Sequence, residues 1–153
     1  MSFTIRYGKT AEGATLVELQ RRASLQWESD RAALLAHPEV IQLPASQLEE
    51  QRVRVAEITG RLAGFSVVIP TTAICSELDG LFVEPELSGR GVGRALMTDA
   101  IQLARNQGVR VIEVTANVNA ERFYKKLGFI PSGEVRLSDQ LSECICQFPG
   151  SSS

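Results

Sequence analysis

The stretch LFVEPELSGRGVGRALM, residues 81–97, places three glycines between an apolar run and an amphipathic pattern. The run before Pro85 predicts the end of a strand, and the residues after Gly93 predict a helix. The first N–H groups of a helix have no acceptor within it, and glycines leave no Cβ atom to keep a ligand away. With the positive end of the helix dipole, these groups predict a cradle for a phosphate or pyrophosphate, beside the charges of Arg90 and Arg94.

Two familiar phosphate-binding loops do not fit this stretch. A P-loop requires Lys followed by Ser or Thr after its last glycine, whereas Gly93 is followed by Arg94. The dinucleotide fingerprint Gly-x-Gly-x-x-Gly or Ala ends at Arg94 when it starts from Gly89, and at Leu96 when it starts from Gly91. The sequence therefore argues against both a P-loop NTPase and a Rossmann dinucleotide site.

Outward from this stretch, the hydrophobic period alternates between strand-like and helical. A short strand over 3–7 precedes a helix that Thr10 could cap, and Ser46 with Glu49 predicts a capping-box start for a brief helix. The later elements are a hairpin over 53–69, a strand over 74–83, a helix that ends near Gly108, a strand over 109–115, a helix over 120–127 and strands over 129–136 and 143–148. This order predicts an α/β protein of the α+β type, with a mixed sheet and helices on its faces.

The composition is that of one globular domain. The chain has 153 residues, of which 44% are hydrophobic and 22% charged, and a formal net charge of −2. No linker or repeat divides it. We expect a single domain over residues 1–149 and a flexible Ser-rich tail over 150–153.

Charge, cysteines and hydropathy disfavour several classes of protein. Sixteen basic against 18 acidic residues give no large positive field for nucleic acid, and no run of about 18 apolar residues could span a membrane. Cys75, Cys144 and Cys146 form no even disulfide framework, and His37 is the only histidine, so neither a metal site nor a Cys/His dyad is expected. We expect a cytoplasmic protein without metal, nucleic-acid or membrane partners.

A second motif, NVNAERFYKKLGF at residues 117–129, begins 24 residues after Gly93. Together the two motifs resemble those of the GNAT superfamily of N-acetyltransferases, which has Gln/Arg-x-x-Gly-x-Gly/Ala at a helix start and Asn-x-x-Ala-x-x-x-Tyr-x-x-x-Gly-Phe further on. Gly91 and Gly93 match the first pattern, whereas Ser88 stands at the Gln/Arg position and departs from it. The second pattern matches at full spacing.

The resemblance implies a GNAT-like fold, with a mixed, mostly antiparallel central sheet flanked by helices on both faces. It implies an enzyme that uses acetyl-CoA to acetylate a primary amine of a small molecule or protein by direct attack in a ternary complex. The main chain of the central strand would hold the pantetheine arm, the glycine turn would hold the pyrophosphate, and the Asn side chain would bind the arm or an ordered water. The implied contact residues are Leu81, Phe82, Val83, Ser88, Gly89, Arg90, Gly91, Val92, Gly93, Arg94, Asn117 and Tyr124.

The resemblance also implies two catalytic side chains. A lysine-like amine is neutral only about once in 2,500 molecules at pH 7, so a base must accept its proton. Glu77 stands where several family members carry a carboxylate base, and Asp79 is a second candidate; the alternative is that both are ordinary sheet-surface carboxylates. Tyr124 stands where relatives donate a hydrogen bond to the departing thiolate, and the alternative is that it packs with Phe123.

Three further alternatives stay open. Trp27 and residues 34–40 would either wall the acceptor pocket or pack in the core. Edge strands near the C-terminus are compatible with a homodimer. A non-catalytic, regulatory acyl-CoA-binding domain is the alternative to an enzyme, and a scaffolding domain that binds no nucleotide is a third reading.

Overall fold

The computed structural model describes residues 3–25, 35–36, 41–117, 121–126, 129–136 and 142–149. Its strands are β1 Thr4–Tyr7, β2 Val53–Ile58, β3 Arg61–Pro70, β4 Cys75–Val83, β5 Val111–Asn117, β6 Ile130–Arg136 and β7 Ser142–Pro149. Its α-helices of five residues or more are α1 Gly13–Ser24, α2 Ala45–Glu49, α3 Val92–Asn106 and α4 Glu121–Lys126. Turns of 3-10 helix lie at Thr10–Glu12 and Pro85–Leu87.

The strands of the described part form one mixed sheet, in the order β1-β2-β3-β4-β5-β7-β6. The pairs β1–β2, β2–β3, β5–β7 and β6–β7 are antiparallel, and β4–β5 is parallel. The mixed, mostly antiparallel sheet with helices that the sequence predicts is therefore confirmed. By main-chain contacts the chain divides into two compact units, Met1–Val67 with Gly80–Leu96 and Val68–Asp79 with Met97–Ser153.

The first unit has an apolar cluster beneath the start of α3. Val92 and Leu96 of that helix pack with Ala56, Ile58 and Ala63 of the β2–β3 hairpin, and all five are buried. The half-buried side chains that pack against the cluster are Phe3, Ile5, Leu81, Val83 and Leu87. The first turn of α3 is thus anchored from below by apolar burial, the main favourable contribution to folding.

Gly64 lets β3 lie unusually close to β4 within the first unit. A Cβ atom at this position would be 2.6 Å from the main-chain oxygen of Phe82 and 3.1 Å from Cγ1 of Val92. The strand is also buried without a break from Ala63 to Val67, so both of its faces are covered. This position therefore accepts only a residue without a side chain.

The second unit is organised around β5. This strand pairs with β7 along its whole length, from Val111 opposite Pro149 to Asn117 opposite Glu143. Ile112 and Val114 are buried, as are the apolar side chains Leu78 of β4 and Met97, Ala100 and Ala104 of α3. Alternation along β5 thus gives one buried face, and a second face that carries Val111 and Glu113, both only partly buried.

Two predicted helix starts are wrong. Thr10 does not cap α1; it begins a 3-10 turn, and α1 starts at Gly13. The carboxylate of Glu12 governs this start, because it accepts hydrogen bonds from the Lys9 N–H at 2.9 Å and from Arg6 at 2.9 Å.

Ser46 is not a cap either. Helix α2 follows Pro44, whose carbonyl oxygen accepts the Gln47 N–H at 3.0 Å, and Ser46 lies inside the helix. The fixed φ of proline sets this start.

Candidate active site

The glycine turn lies between β4 and α3. After Val83 the chain makes the 3-10 turn Pro85–Leu87 and then passes Gly89 and Gly91, whose φ angles are +80° and +84°. A side chain is strained in this left-handed region, so both positions favour glycine. A Cβ atom at either glycine would meet no atom of the described residues within 4 Å. The turn therefore offers bare main chain to open space.

The first turn of α3 presents N–H donors that have no acceptor within the helix. The Ala95 N–H donates to the Gly91 carbonyl at 3.0 Å, which is the first helical bond of α3. The N–H groups of Val92, Gly93 and Arg94 precede that bond and have no acceptor within the helix. They lie at the positive end of the helix dipole. This arrangement, open above and anchored below by Val92, fits a pyrophosphate.

Charge and exposure around the turn agree with that fit. Ser88, Gly89, Arg90 and Gly91 are exposed, as is Arg94 one turn later. Two guanidinium groups therefore stand at the surface beside bare N–H groups, and Arg is well suited to bind phosphate oxygens. The turn thus combines exposed main chain with two exposed arginines, and its binding of a pyrophosphate stays a prediction.

The end of β4 shows why Gly80 is a glycine. A Cβ atom there would lie 2.5 Å from Cε2 of Phe82, two residues along the same strand. The Phe82 ring also packs against Phe65, with ring centroids 5.2 Å apart. Gly80 therefore leaves room for an aromatic ring that is held over the strand. Leu81, Phe82 and Val83, whose main chain is implied to hold the pantetheine, are all half-buried.

The parallel ladder between β4 and β5 ends early. It comprises Cys75 opposite Val111, Ser76 opposite Ile112 and Glu77 opposite Glu113. Within the described residues no later pair joins the two strands, although β4 runs on to Val83 and β5 runs on to Asn117. In the second unit the ladder therefore stops at a pair of carboxylates, four residues before Leu81, where the implied pantetheine contacts begin.

Glu113 is a candidate that the sequence reasoning missed. Residues opposite each other in a parallel pair point to the same face, so Glu77 and Glu113 share a face. Asp79, two residues after Glu77, lies on that face of β4 as well and is exposed. Glu77 and Glu113 are half-buried. These carboxylates are brought together by the register between two strands that are distant in sequence. No local sequence pattern predicts that register.

Tyr124 lies in α4, and its side chain is 8% exposed. Its ring meets that of Phe129 edge to face, with centroids 5.5 Å apart, and its carbonyl oxygen accepts the Phe129 N–H at 3.1 Å. These contacts hold the tyrosine in place and leave its predicted catalytic role untested. Asn117 ends β5 opposite Glu143, and its side chain lies outside the described part.

The structure says less about the predicted acceptor-pocket residues and the cysteines. Trp27, Leu34 and residues 37–40 lie outside the described residues, and Leu35 is exposed. Cys75 is half-buried, and its thiol contacts the Ser76 carbonyl oxygen at 3.9 Å. Across the described ranges, no cluster of three or more His, Cys, Asp or Glu could hold a metal ion. No helix of those ranges is both long and apolar enough to cross a membrane.

With this geometry in place, comparison with known proteins decides the family. The model of the acetyltransferase (GNAT) family matches residues 16–129, a span that includes the glycine turn, both carboxylates of the ladder end and Tyr124. The chain belongs to the GNAT acetyltransferase family. It is an acetyl-CoA-dependent acyltransferase, as predicted from its two motifs.

The relatives of this acetyltransferase include one protein of matching length. It is 30% identical over 139 residues to the peptidyl-lysine N-acetyltransferase YjaB of Salmonella typhimurium, with 91% of each chain covered. It is 35% identical over 91 residues to the uncharacterized N-acetyltransferase MJ1207 of Methanocaldococcus jannaschii, of which it spans 40%.

Solved structures show the same fold. The solution structure of apo YjaB from Escherichia coli superposes with a TM-score of 0.74 and 26% identity, covering 99% of this chain and 100% of that chain. The PaiA N-acetyltransferase of Thermoplasma acidophilum, solved with coenzyme A, has a TM-score of 0.78 and 18% identity, covering 97% and 99% of the two chains. The acetyltransferase fold therefore extends over nearly the whole chain.

Proposed function

We propose that this acetyltransferase acetylates the side-chain amine of lysine in a peptide or protein, by direct attack in a ternary complex. The observation that carries the proposal is the end of the β4–β5 ladder at Glu77 and Glu113. Carboxylates on one face of the sheet suit an acceptor that arrives as a cation. The similarity to YjaB, whose name specifies peptidyl-lysine, supports the same acceptor.

The glycine turn would hold the cofactor. The N–H groups of Val92, Gly93 and Arg94 would donate to the pyrophosphate, with Arg90 beside them, and the main chain of Leu81–Val83 would pair with the pantetheine arm as an added strand does. Ser88 offers a short hydroxyl where the family pattern has Gln or Arg.

Glu77 would act as the base. Acetyl-CoA supplies the acetyl group as a thioester, whose C–S bond breaks as the amine nitrogen bonds to the acetyl carbon. Glu77 takes the amine proton directly or through water, and Glu113 and Asp79 hold the ammonium form before deprotonation. Tyr124 donates a hydrogen bond to the developing thiolate, because full proton transfer from a phenol near pKa 10 to a thiol near 8.5 is uphill by about 2 kcal/mol.

The test is an acceptor panel in which released CoA thiol is measured. A lysine-containing peptide is expected to be acetylated faster than the same peptide with its lysine acetylated or replaced by norleucine, and faster than polyamines, aminoglycosides or free amino acids. Preference for one of those small amines would contradict the acceptor class. Binding of acetyl-CoA without thiol release from any acceptor would indicate the regulatory domain instead.

Initial rates with both substrates varied test the ternary complex. Intersecting double-reciprocal lines are expected, whereas parallel lines would indicate an acetyl-enzyme. Cys75→Ser is a matched control for that alternative, because Cys75 is the half-buried thiol on β4. Its turnover is expected to equal that of the parent enzyme.

A further inference from the structure

Glu84 is a carboxylate buried at the junction of β4 and the 3-10 turn Pro85–Leu87. Its side chain is 4% exposed. Arg22, in the last turn of α1, donates two hydrogen bonds to it, from Nε to Oε1 at 2.9 Å and from Nη2 to Oε2 at 2.8 Å. Two parallel bonds from a planar guanidinium fix the orientation of the carboxylate as well as its distance.

The main chain of Glu84 joins the same residue to two other segments. Its N–H donates to the Ala63 carbonyl of β3 at 2.8 Å, and its own carbonyl accepts the Leu87 N–H at 2.8 Å. One residue therefore holds β3 through its N–H, begins the 3-10 turn through its carbonyl and holds α1 through its side chain. From this turn the chain runs directly into the glycines of the cradle.

Nearby carboxylates stabilise the cationic form of Arg22. The pKa of the Arg22 guanidinium is raised, first by its hydrogen bonds to Glu84 and further by the charges of Glu18 and Glu86, against the opposing effect of burial. Replacing a buried ion pair by apolar residues is often neutral or stabilising. The pair is therefore better explained by the orientation it imposes than by net stability.

We propose that Arg22 and Glu84 are positioning residues for acetyl-CoA, an inference that rests on the cofactor site of the proposed function. The pair holds the start of the glycine turn so that the N–H groups of the first turn of α3 face the pyrophosphate. When the pair is broken, the turn spends less time in that conformation. The apparent Kd then rises in inverse proportion to the population of the binding conformation.

The first test is Arg22→Lys, which keeps the positive charge but cannot make the two parallel hydrogen bonds of the guanidinium group. The Kd for coenzyme A, measured by calorimetry, is expected to rise about tenfold, which corresponds to a binding conformation populated one-tenth of the time. The KM for acetyl-CoA should rise with it, while kcat stays within about twofold because neither residue touches the reacting atoms. An unchanged Kd would overturn the inference.

A double variant separates positioning from stability. Arg22→Met with Glu84→Met fills the same space with apolar side chains. The free energy of unfolding of this double variant is expected to be no lower than that of Arg22→Lys. Its Kd for coenzyme A should nevertheless stay about tenfold above that of the parent. Parental affinity in the double variant would mean that the pair serves folding alone.

The matched control is Arg61→Lys. Arg61 bonds Glu86 at 2.8 Å, two residues from Glu84, but these side chains are 55% and 71% exposed. The Kd of the Arg61→Lys variant for coenzyme A is expected to equal that of the parent. If the parent itself bound no coenzyme A, the proposed function would fail before any variant was compared, so the two failures are distinguishable.

Discussion

Two ion pairs flank Pro85, and they look alike by distance alone. Arg22 meets Glu84 and Arg61 meets Glu86, and each contact is 2.8 Å long. They differ in their surroundings, since the Glu84 side chain is 4% exposed and that of Glu86 is 71% exposed. Water solvates the second pair whether or not it forms, whereas Glu84 has lost water and depends on its partner.

Breaking the two pairs should therefore have unequal consequences. Removing one partner of a buried pair leaves a charge without solvent, which is costly even where the pair added little. Removing one partner of an exposed pair leaves a charge that water accepts. The contact distance consequently does not predict how much stability is lost when either pair is broken, whereas the burial of the carboxylate predicts it for both pairs.

The largest effect is expected at Gly91, in the turn that follows both pairs. Gly91→Glu places a carboxylate where the pyrophosphate would lie, and the affinity for coenzyme A should fall more than about 100-fold, or about 2.7 kcal/mol. A Cβ atom there would meet no atom of the described residues within 4 Å, so the added side chain starts in open space. Calorimetry measures the loss.

Gly60→Glu is the control for backbone strain. Gly60 has φ +82° and equally open surroundings in the β2–β3 turn, so the added side chain is strained to the same degree. Its affinity for coenzyme A should not change. Equal losses of affinity in the two variants would contradict a cradle at Gly91.

The next effect is on stability at the buried pair. Arg22→Met should lower the free energy of unfolding by about 2–3 kcal/mol, less than for a fully buried pair because the Arg22 side chain is 51% exposed. Urea denaturation with an unchanged m value measures it. A loss no larger than that of Arg61→Met would mean that burial of Glu84 is not decisive.

An intermediate effect on the free energy of unfolding is expected for the ion pair of Arg6 and Glu12, whose side chains are 26% and 19% exposed. Hydrogen bonds from Arg6 lower the pKa of Glu12 below its ordinary value of 4.5. The unfolded chain therefore binds the proton more readily, and the stabilisation is full above pH 4.5 and is lost as pH falls through the lowered pKa.

Glu12→Gln should accordingly cost about 1 kcal/mol at pH 7. The difference from the parent should shrink on acidification and vanish once Glu12 is protonated in the folded protein. Urea titrations at several pH values measure this convergence. Glu49→Gln, at an exposed carboxylate of α2, provides the control, and a difference that grew with acid would contradict the assignment.

The smallest effect is expected at the exposed pair. Arg61→Met should leave the unfolding midpoint, the affinity for coenzyme A and turnover at their parental values, because solvent replaces the lost contact. High salt should also leave the variant and the parent equally stable. A measurable loss of stability would show that Glu86 depends on its partner more than its exposure suggests.

The features that sequence predicted share one property: they depend on neighbours along the chain. The glycine turn and the Asn-to-Phe motif at 117–129 are local patterns, and strands and helices were recognised from their periods. The positive φ angles at Gly89 and Gly91 accord with the open turn that the sequence predicts. The family match over residues 16–129 confirms what the two motifs together indicate.

The features that sequence missed depend on residues brought together by folding. Glu113 became a candidate only through its register with Glu77. Arg22 and Glu84 are 62 residues apart, and nothing in either neighbourhood marks them as partners. The same cause explains the error at Thr10, because Glu12 is held by Arg6, a residue of the preceding strand. An ion pair between residues that are far apart in the sequence produces no periodic pattern from which it could be predicted.

The early end of the β4–β5 ladder has a consequence for hydrogen exchange. Along β4, successive amides point to opposite sides of the strand, and those directed away from β3 have no strand partner beyond Glu77 within the described residues. These amides should exchange rapidly in the free enzyme, while their neighbours bonded to β3 exchange slowly. An added strand-like ligand would slow the fast set alone, so an alternating pattern of protection would map its position residue by residue.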